Sequence, residues 1–255
     1  MFLILLIFFR EKPKTPPSAS SENEGGSGDL MANTKKLLAN SNFKKLIVTF
    51  GIVFGTVNTL GTVVGIMTNE FGFSDADASV FGAVFIIGGI IGSGVFGTYV
   101  ELTRKYKLTM IMIGTIATLG PILLIGLLFT GQVSLVSIAN FIIGFDLAIL
   151  PVGIDFGVEI TFPVPEPVST GLLMSCSQFF GIVLTVVCTA LISLHKKGCV
   201  YAFAVLVVFS LTGLVFAVMI QEDLRRLKYE KELKQGQEGG EEEKLLKTRG
   251  TIMSC

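Results

Sequence analysis

The stretch PVGIDFGVEITFPVPEPVSTGLLMSCSQFFGI, residues 151–182, packs Asp155, Glu159, Glu166, Pro163, Pro165 and Pro167 between two long apolar runs. Proline has no backbone N–H and disfavours helix in the residue before it, so Pro163 and Pro165 mark the end of one helix. The sequence Glu166-Pro167-Val168-Ser169 reads as the start of the next: proline is tolerated in a first turn, and a carboxylate meets the positive end of the helix dipole there. The segment is therefore a short connection between two helices, and the flanking runs decide what kind.

Those runs belong to a set. Five stretches carry no charged side chain: Leu46–Met67, Ala78–Tyr99, Leu108–Phe129, Val168–Leu194 and Cys199–Ile220. Each is long enough, at ~1.5 Å per residue, to cross a hydrocarbon core of ~30 Å. A sixth, Val133–Phe156, has the length but contains Asp146 and Asp155. None alternates apolar and polar residues as barrel strands do, so the spans are helices that satisfy their backbones internally. The whole chain agrees. Its 255 residues are 51% hydrophobic and 16% charged, with mean hydropathy +0.71, too few polar groups to clothe a soluble globule. The fold class is an all-α membrane protein of six transmembrane helices.

Basic residues set the orientation. Lys35, Lys36, Lys44 and Lys45 precede the first span, Arg104, Lys105 and Lys107 follow the second, and the tail places every one of its basic residues, from Arg225 to Arg249, on the same side; the opposite side has only Lys196 and Lys197. Both termini are expected in the cytoplasm, of a plasma-membrane or organelle-membrane protein. Residues 1–45 read as the end of a truncated helix (MFLILLIFF) plus a Pro/Ser/Gly-rich cytoplasmic linker, 46–220 as the transmembrane domain, and 221–255 as a cytoplasmic tail that could begin as a surface helix. Cys176, Cys188, Cys199 and Cys255 fit no disulfide or metal framework.

A carrier needs polar groups near the bilayer midplane. Thr56, Asn58 and Thr59 fall near the middle of the first span, Asp146 about halfway along the fourth, and Gln178 near the middle of the fifth. These spans are expected to line a cavity, and the third and sixth to face lipid. Asp146 stands out, because a carboxylate in hydrocarbon costs at least ~2.5 kcal/mol and faces water, a partner or a cationic solute, or stays protonated. Glycines four apart (Gly51/Gly55, Gly61/Gly65, Gly88/Gly92) suit close helix packing in lipid. An enzyme is not expected. Asp146 and Asp155 lie about 180° apart round one helix, Ser93 has no base within reach because the sole histidine, His195, lies at the opposite membrane face, and no His/Cys cluster could hold a metal. No cofactor and no nucleic-acid partner are expected.

The run from Pro151 to Gly181 resembles the helix 10 to helix 11 region of the feline leukaemia virus subgroup C receptor-related transporters, a branch of the major facilitator superfamily. FFREKPKTPPSAS resembles that family's segment leaving helix 6, and VELTRKYK its loop between helices 8 and 9. The resemblance implies the C-terminal half of a twelve-helix carrier working by alternating access, whose partners are a small organic solute (choline- or ethanolamine-like, or haem- or vitamin-like), the lipid bilayer, and an N-terminal half or a second copy. It makes Gln178 a solute-contacting position. Two departures accompany it: Gly55 stands where a helix 7 aromatic is expected, and Asp146 in an otherwise apolar helix 10. GTYVELTRKYK is similar to the superfamily's basic cytoplasmic loop, with Glu101 for the usual aspartate, which implies a gate in which Glu159 pairs with Arg104 or Lys105. The rival readings are a membrane receptor or accessory subunit without a transport cycle, and a proton-coupled carrier using Asp146.

Overall fold

A computed structural model describes residues 30–195, 197–229 and 231–232. A short helix α1 (Leu30–Ala39) leads into α2 (Ser41–Glu70), followed by α3 (Asp75–Thr103) and α4 (Tyr106–Leu128). The fourth span is composite: α5 (Val133–Gly144), a 3-10 segment (Phe145–Ala148) and α6 (Ile149–Thr161). Helices α7 (Glu166–Leu194) and α8 (Gly198–Met219) complete six membrane-length crossings. Four spans contain their expected apolar run whole, α4 and α8 stop one residue short of its end, at Leu128 and Met219, and local capping extends several spans beyond the run. Asn40 Oδ1 accepts the N–H groups of Asn42 and Phe43, so α2 starts five residues before Leu46. At the start of α3, Ser74 and Asp77 form a reciprocal capping box, which satisfies two otherwise orphaned donors. The connection quoted above behaves as read: α6 stops at Thr161 and α7 starts at Glu166 with proline in its first turn.

The break in the fourth span has two local causes. Pro151 offers no N–H to the carbonyl of Leu147 and crowds it, which loosens the ladder at that turn. In addition, α3 presents glycines to the segment. A side chain at Gly92 would run into Phe145, and one at Gly89 into Leu147. Residues two apart lie about 160° apart round an α-helix but about 120° apart in a 3-10 turn. The tighter winding brings Phe145 and Leu147 closer to the same face, and Asp146 lies between them.

The bundle holds two apolar cores stacked along the membrane normal. One centres on Phe43, Leu46, Phe50, Tyr106, Met110, Phe156, Ile160 and Leu173. The other centres on Leu60, Val63, Phe81, Leu124, Val136, Ile143, Leu184 and Phe203. Between them runs a polar waist. Thr56 and Ser210 hydroxyls stand 3.4 Å apart across α2 and α8, and Thr59 and Thr185 hydroxyls 3.0 Å apart across α2 and α7. Helix α2 is the most enclosed span, while α3 and α7 leave the largest share of their surface uncovered.

Candidate functional site

Two polar regions carry the residues that the sequence singles out. The first is the waist. Gly55 packs so closely on α7 that a Cβ there would sit 3.0 Å from the Gly181 amide nitrogen. The position therefore serves helix contact and has no room for an aromatic wall. Thr59 is fully buried and its hydroxyl is engaged, donating to the Gly181 carbonyl at 3.4 Å or exchanging with Thr185. Asn58, half-buried, lays its amide beside Gly181 on the same seam. Gln178, one turn earlier on α7, is exposed. The seam thus offers two side-chain amides, each able to donate and accept, on a frame of mutually satisfied hydroxyls.

Asp146 is only 1% exposed, and its Oδ1 is buried without a hydrogen-bond partner among the described residues. Asp155, by contrast, is exposed on α6, so the two aspartates of this span occupy unlike environments. The sequence reading passed over Asn140, on α5. It is buried, donates through Nδ2 to the Val136 carbonyl at 2.9 Å, and lines an apolar cavity of about 170 Å³ with Leu60, Gly61, Phe85 and Ile143. Its signal was available: it is the other strongly polar side chain in the first half of that span.

The second region is the end of the bundle where α2 begins and α8 ends. Glu159, 7% exposed at the end of α6, accepts the Leu227 N–H at 3.2 Å. Leu227 lies on the short helical stretch 225–229, anchored by Leu224 just before it, which packs against the core, and by the Tyr229 ring 5.0 Å from Phe162. Arg104 closes α3 in a left-handed conformation, φ 56°, a geometry that costs a non-glycine residue about 1–2 kcal/mol. That turn lets α4 begin two residues later, at Tyr106, whose hydroxyl lies within electrostatic reach of the Arg104 guanidinium. Charges on Arg104 and Arg226 both act on Asp155, and those on Arg104 and Glu159 both act on Tyr106. Glu159 and Arg104 thus act on the same residue, Tyr106, in a cluster that also holds Arg226 and Leu227. Lys105 and Glu101 are exposed at its edge. Beside it, the Asp223 carboxylate is held below the usual carboxylate range by its hydrogen bonds with Lys228 (2.7 Å) and Arg225 (3.0 Å).

Residues 1–158 match the Major Facilitator Superfamily model. The chain is similar to the zebrafish choline/ethanolamine transporter flvcr2a, 30% identical over 91% of this chain and 50% of the relative. It is also similar to human choline/ethanolamine transporter FLVCR2, 29% identical over 95% of this chain and 47% of the relative, and to cat choline/ethanolamine transporter FLVCR1, 30% identical over 88% and 40%. The chain spans about half the length of the curated relatives it matches.

Proposed function

Because the chain belongs to the Major Facilitator Superfamily, a family of multi-pass membrane transporters, we propose that it supplies one six-helix side of the cavity of an alternating-access carrier for a small organic solute such as choline or ethanolamine. The observation that carries this reading is the α2–α7 seam. Asn58 and Gln178 present amides at mid-depth, while the neighbouring hydroxyls of Thr59 and Thr185 are held by each other. Amides fixed on such a frame can orient the hydroxyl or amine of a solute, and exposed Gln178 faces whatever completes the cavity. That completing element is a second six-helix unit, either an N-terminal half or another copy of this chain.

The Glu159 cluster acts as the gate at the cytoplasmic end, an orientation supported by Lys36, Lys45, Arg104, Lys105, Lys107 and Arg225 all lying there. Glu159 ties α6 to the tail through Leu227, and Arg104 ties the α3–α4 turn to the same cluster. Uptake of labelled choline and ethanolamine, in cells expressing the chain alone and together with the N-terminal six helices of a relative, tests the reading. Gln178→Ala and Asn58→Ala are each expected to cut uptake about ten-fold, the loss of one charge-assisted or well-placed hydrogen bond of ~1.4 kcal/mol. Uptake that neither substitution alters would sink it.

A second reading rests on Asp146. A buried carboxyl with an unpartnered oxygen can carry a proton through the cycle, making the carrier proton-coupled. Uptake that rises with an imposed pH gradient and loses that response in Asp146→Asn supports this; a rate that ignores both the gradient and the substitution rejects it.

A further inference from the structure

At the end of the bundle, apart from the Glu159 cluster, lies an open cleft of about 580 Å³ lined by Lys36, Ala39, Asn40, Ser41, Asn42, Lys45, Gln221 and Arg225. Its three charged residues are all cations, and they come from three elements: Lys36 from α1, Lys45 from α2 and Arg225 from the stretch after α8. The walls are amides and a hydroxyl, with no carboxylate among the lining residues. Cross-element bonds hold the cleft open in one shape. Asn40 Nδ2 donates to the Ile160 carbonyl at 3.1 Å, the Gln221 N–H donates to Asn42 Oδ1 at 3.2 Å, and Lys45 Nζ donates to the Met219 carbonyl at 2.9 Å. Arg225 gives Nε to Asp223, which leaves its terminal nitrogens for another acceptor. Lys36 makes no hydrogen bond through its ammonium among the described residues.

Depth and surroundings narrow the occupant. Lys45 immediately precedes the apolar run of α2, and Met219 ends α8, so the cleft sits at the level where the hydrocarbon stops. Beside it, α1 exposes Leu30, Met31 and Leu38. These share an arc of about 100° round the helix, with Lys35 next to it and Lys36 on the opposite side. An amphipathic helix of this kind lies in the membrane interface with its apolar arc among lipid chains. A ligand that reaches the cleft from there has an anionic head and an apolar body.

We propose that this cleft binds the phosphorylated headgroup of an anionic phospholipid, with Lys36, Lys45 and Arg225 contacting the phosphate and α1 resting on the adjoining lipid surface. Each cation near an anionic lipid surface strengthens binding about five-fold, and the attraction falls as salt screens it. The site needs no transport cycle, so its test stands or falls independently of the carrier assignment.

The experiment uses the full chain in bilayer discs of phosphatidylcholine alone or doped with phosphatidylinositol monophosphate, reading retained lipid by mass spectrometry and thermal stability alongside. The wild type is expected to retain the phosphoinositide selectively and unfold at higher temperature with it. Lys36→Gln, Lys45→Gln and Arg225→Gln should each weaken retention about five-fold, while Lys107→Gln, an equal charge loss at the same end of the bundle but outside the cleft, leaves it unchanged. Equal weakening by Lys107→Gln would show attraction to net charge only and overturn the site. Competition by soluble inositol phosphate at the same concentration as the lipid would assign the cleft to a free phosphate and overturn the lipid. Lys36 is exposed and its ammonium makes no hydrogen bond among the described residues, so its variant folds even if Lys45→Gln does not.

Discussion

The waist and the charged end of this bundle solve opposite problems. At the waist, helices meet through absence: Gly55 admits the α7 backbone, and Gly88, Gly89 and Gly92 admit Phe141, Phe145 and Leu147. At the charged end, helices meet through side chains that reach: Asn40 to Ile160, Lys45 to Met219, and Glu159 to Leu227. In lipid there is no hydrophobic drive between apolar helices, so close packing holds the first region, while polar bonds at the water boundary hold the second. Packed seams are all-or-none. Polar ties at a surface are weak singly and exchangeable with water.

The largest effect that would break this contrast is expected at Gly88. Its missing Cβ would overlap the Phe141 carbonyl, so Gly88→Val should destabilise the folded bundle by about 3 kcal/mol or more, an overpacking cost at the upper end for a backbone contact. Thermal unfolding in detergent reads it. Gly61→Ala, with nothing within 4 Å of the added carbon, should leave the unfolding temperature alone. If the two variants unfold alike, close packing is not what the waist depends on.

Next comes Asp146→Leu. Replacing a buried carboxyl that has an unpartnered oxygen removes a desolvation cost of about 1–3 kcal/mol, so stability should hold or rise while uptake falls. A destabilised variant with normal uptake would make Asp146 a packing residue.

At the charged end, Glu159→Ala removes the acceptor of the Leu227 N–H and should release the tail stretch at a cost of about 1 kcal/mol. Hydrogen exchange at Leu227 then accelerates about five-fold, with global unfolding little changed. Unaltered exchange there would mean that the tail is held by Leu224 and Tyr229 alone.

The smallest effect concerns Asp223. Its folded-state pKa is depressed by Lys228 and Arg225, so the stabilisation it provides is present above the ordinary carboxylate pKa and is lost as pH falls through the lower folded value. For a pair this exposed, the contribution is a few tenths of a kcal/mol. Acidification below about pH 4 should loosen residues 225–229 slightly, and Asp223→Asn should abolish that response.

The same contrast separates what was legible in the sequence from what was not. Five of the six spans follow from charge-free runs, the fourth from its apolar length, and the helix start at Glu166 from proline chemistry, all local in the chain. The polar positions of the waist were legible as residue types. Their division of labour was not, because whether Thr59 is spent on Thr185 while Gln178 stays exposed depends on how α2 and α7 face each other. Gly55 looked like a missing aromatic until the α7 backbone was seen against it. The charged end was legible as residue types only. Glu159 and Arg104 are visible as charges at the right ends of spans, but the donor to Glu159 is the backbone of Leu227, and a backbone N–H leaves no mark in a sequence. The 3-10 segment was likewise hidden, since Pro151 hints at a break somewhere near and the glycines of α3, some sixty residues earlier, decide where.

That segment also works as a screw thread. Four residues wound at three per turn instead of 3.6 differ by about 80° of rotation and about 2 Å of length. Were Phe145–Ala148 to rewind into α-helix, α6 would turn by that angle relative to α5 and draw inward by that distance. Glu159, at the far end of α6, would swing off the Leu227 N–H. A change of winding beside Asp146 would thereby reach the Glu159–Leu227 contact as torsion along a single helix, without any separate relay through the neighbouring spans.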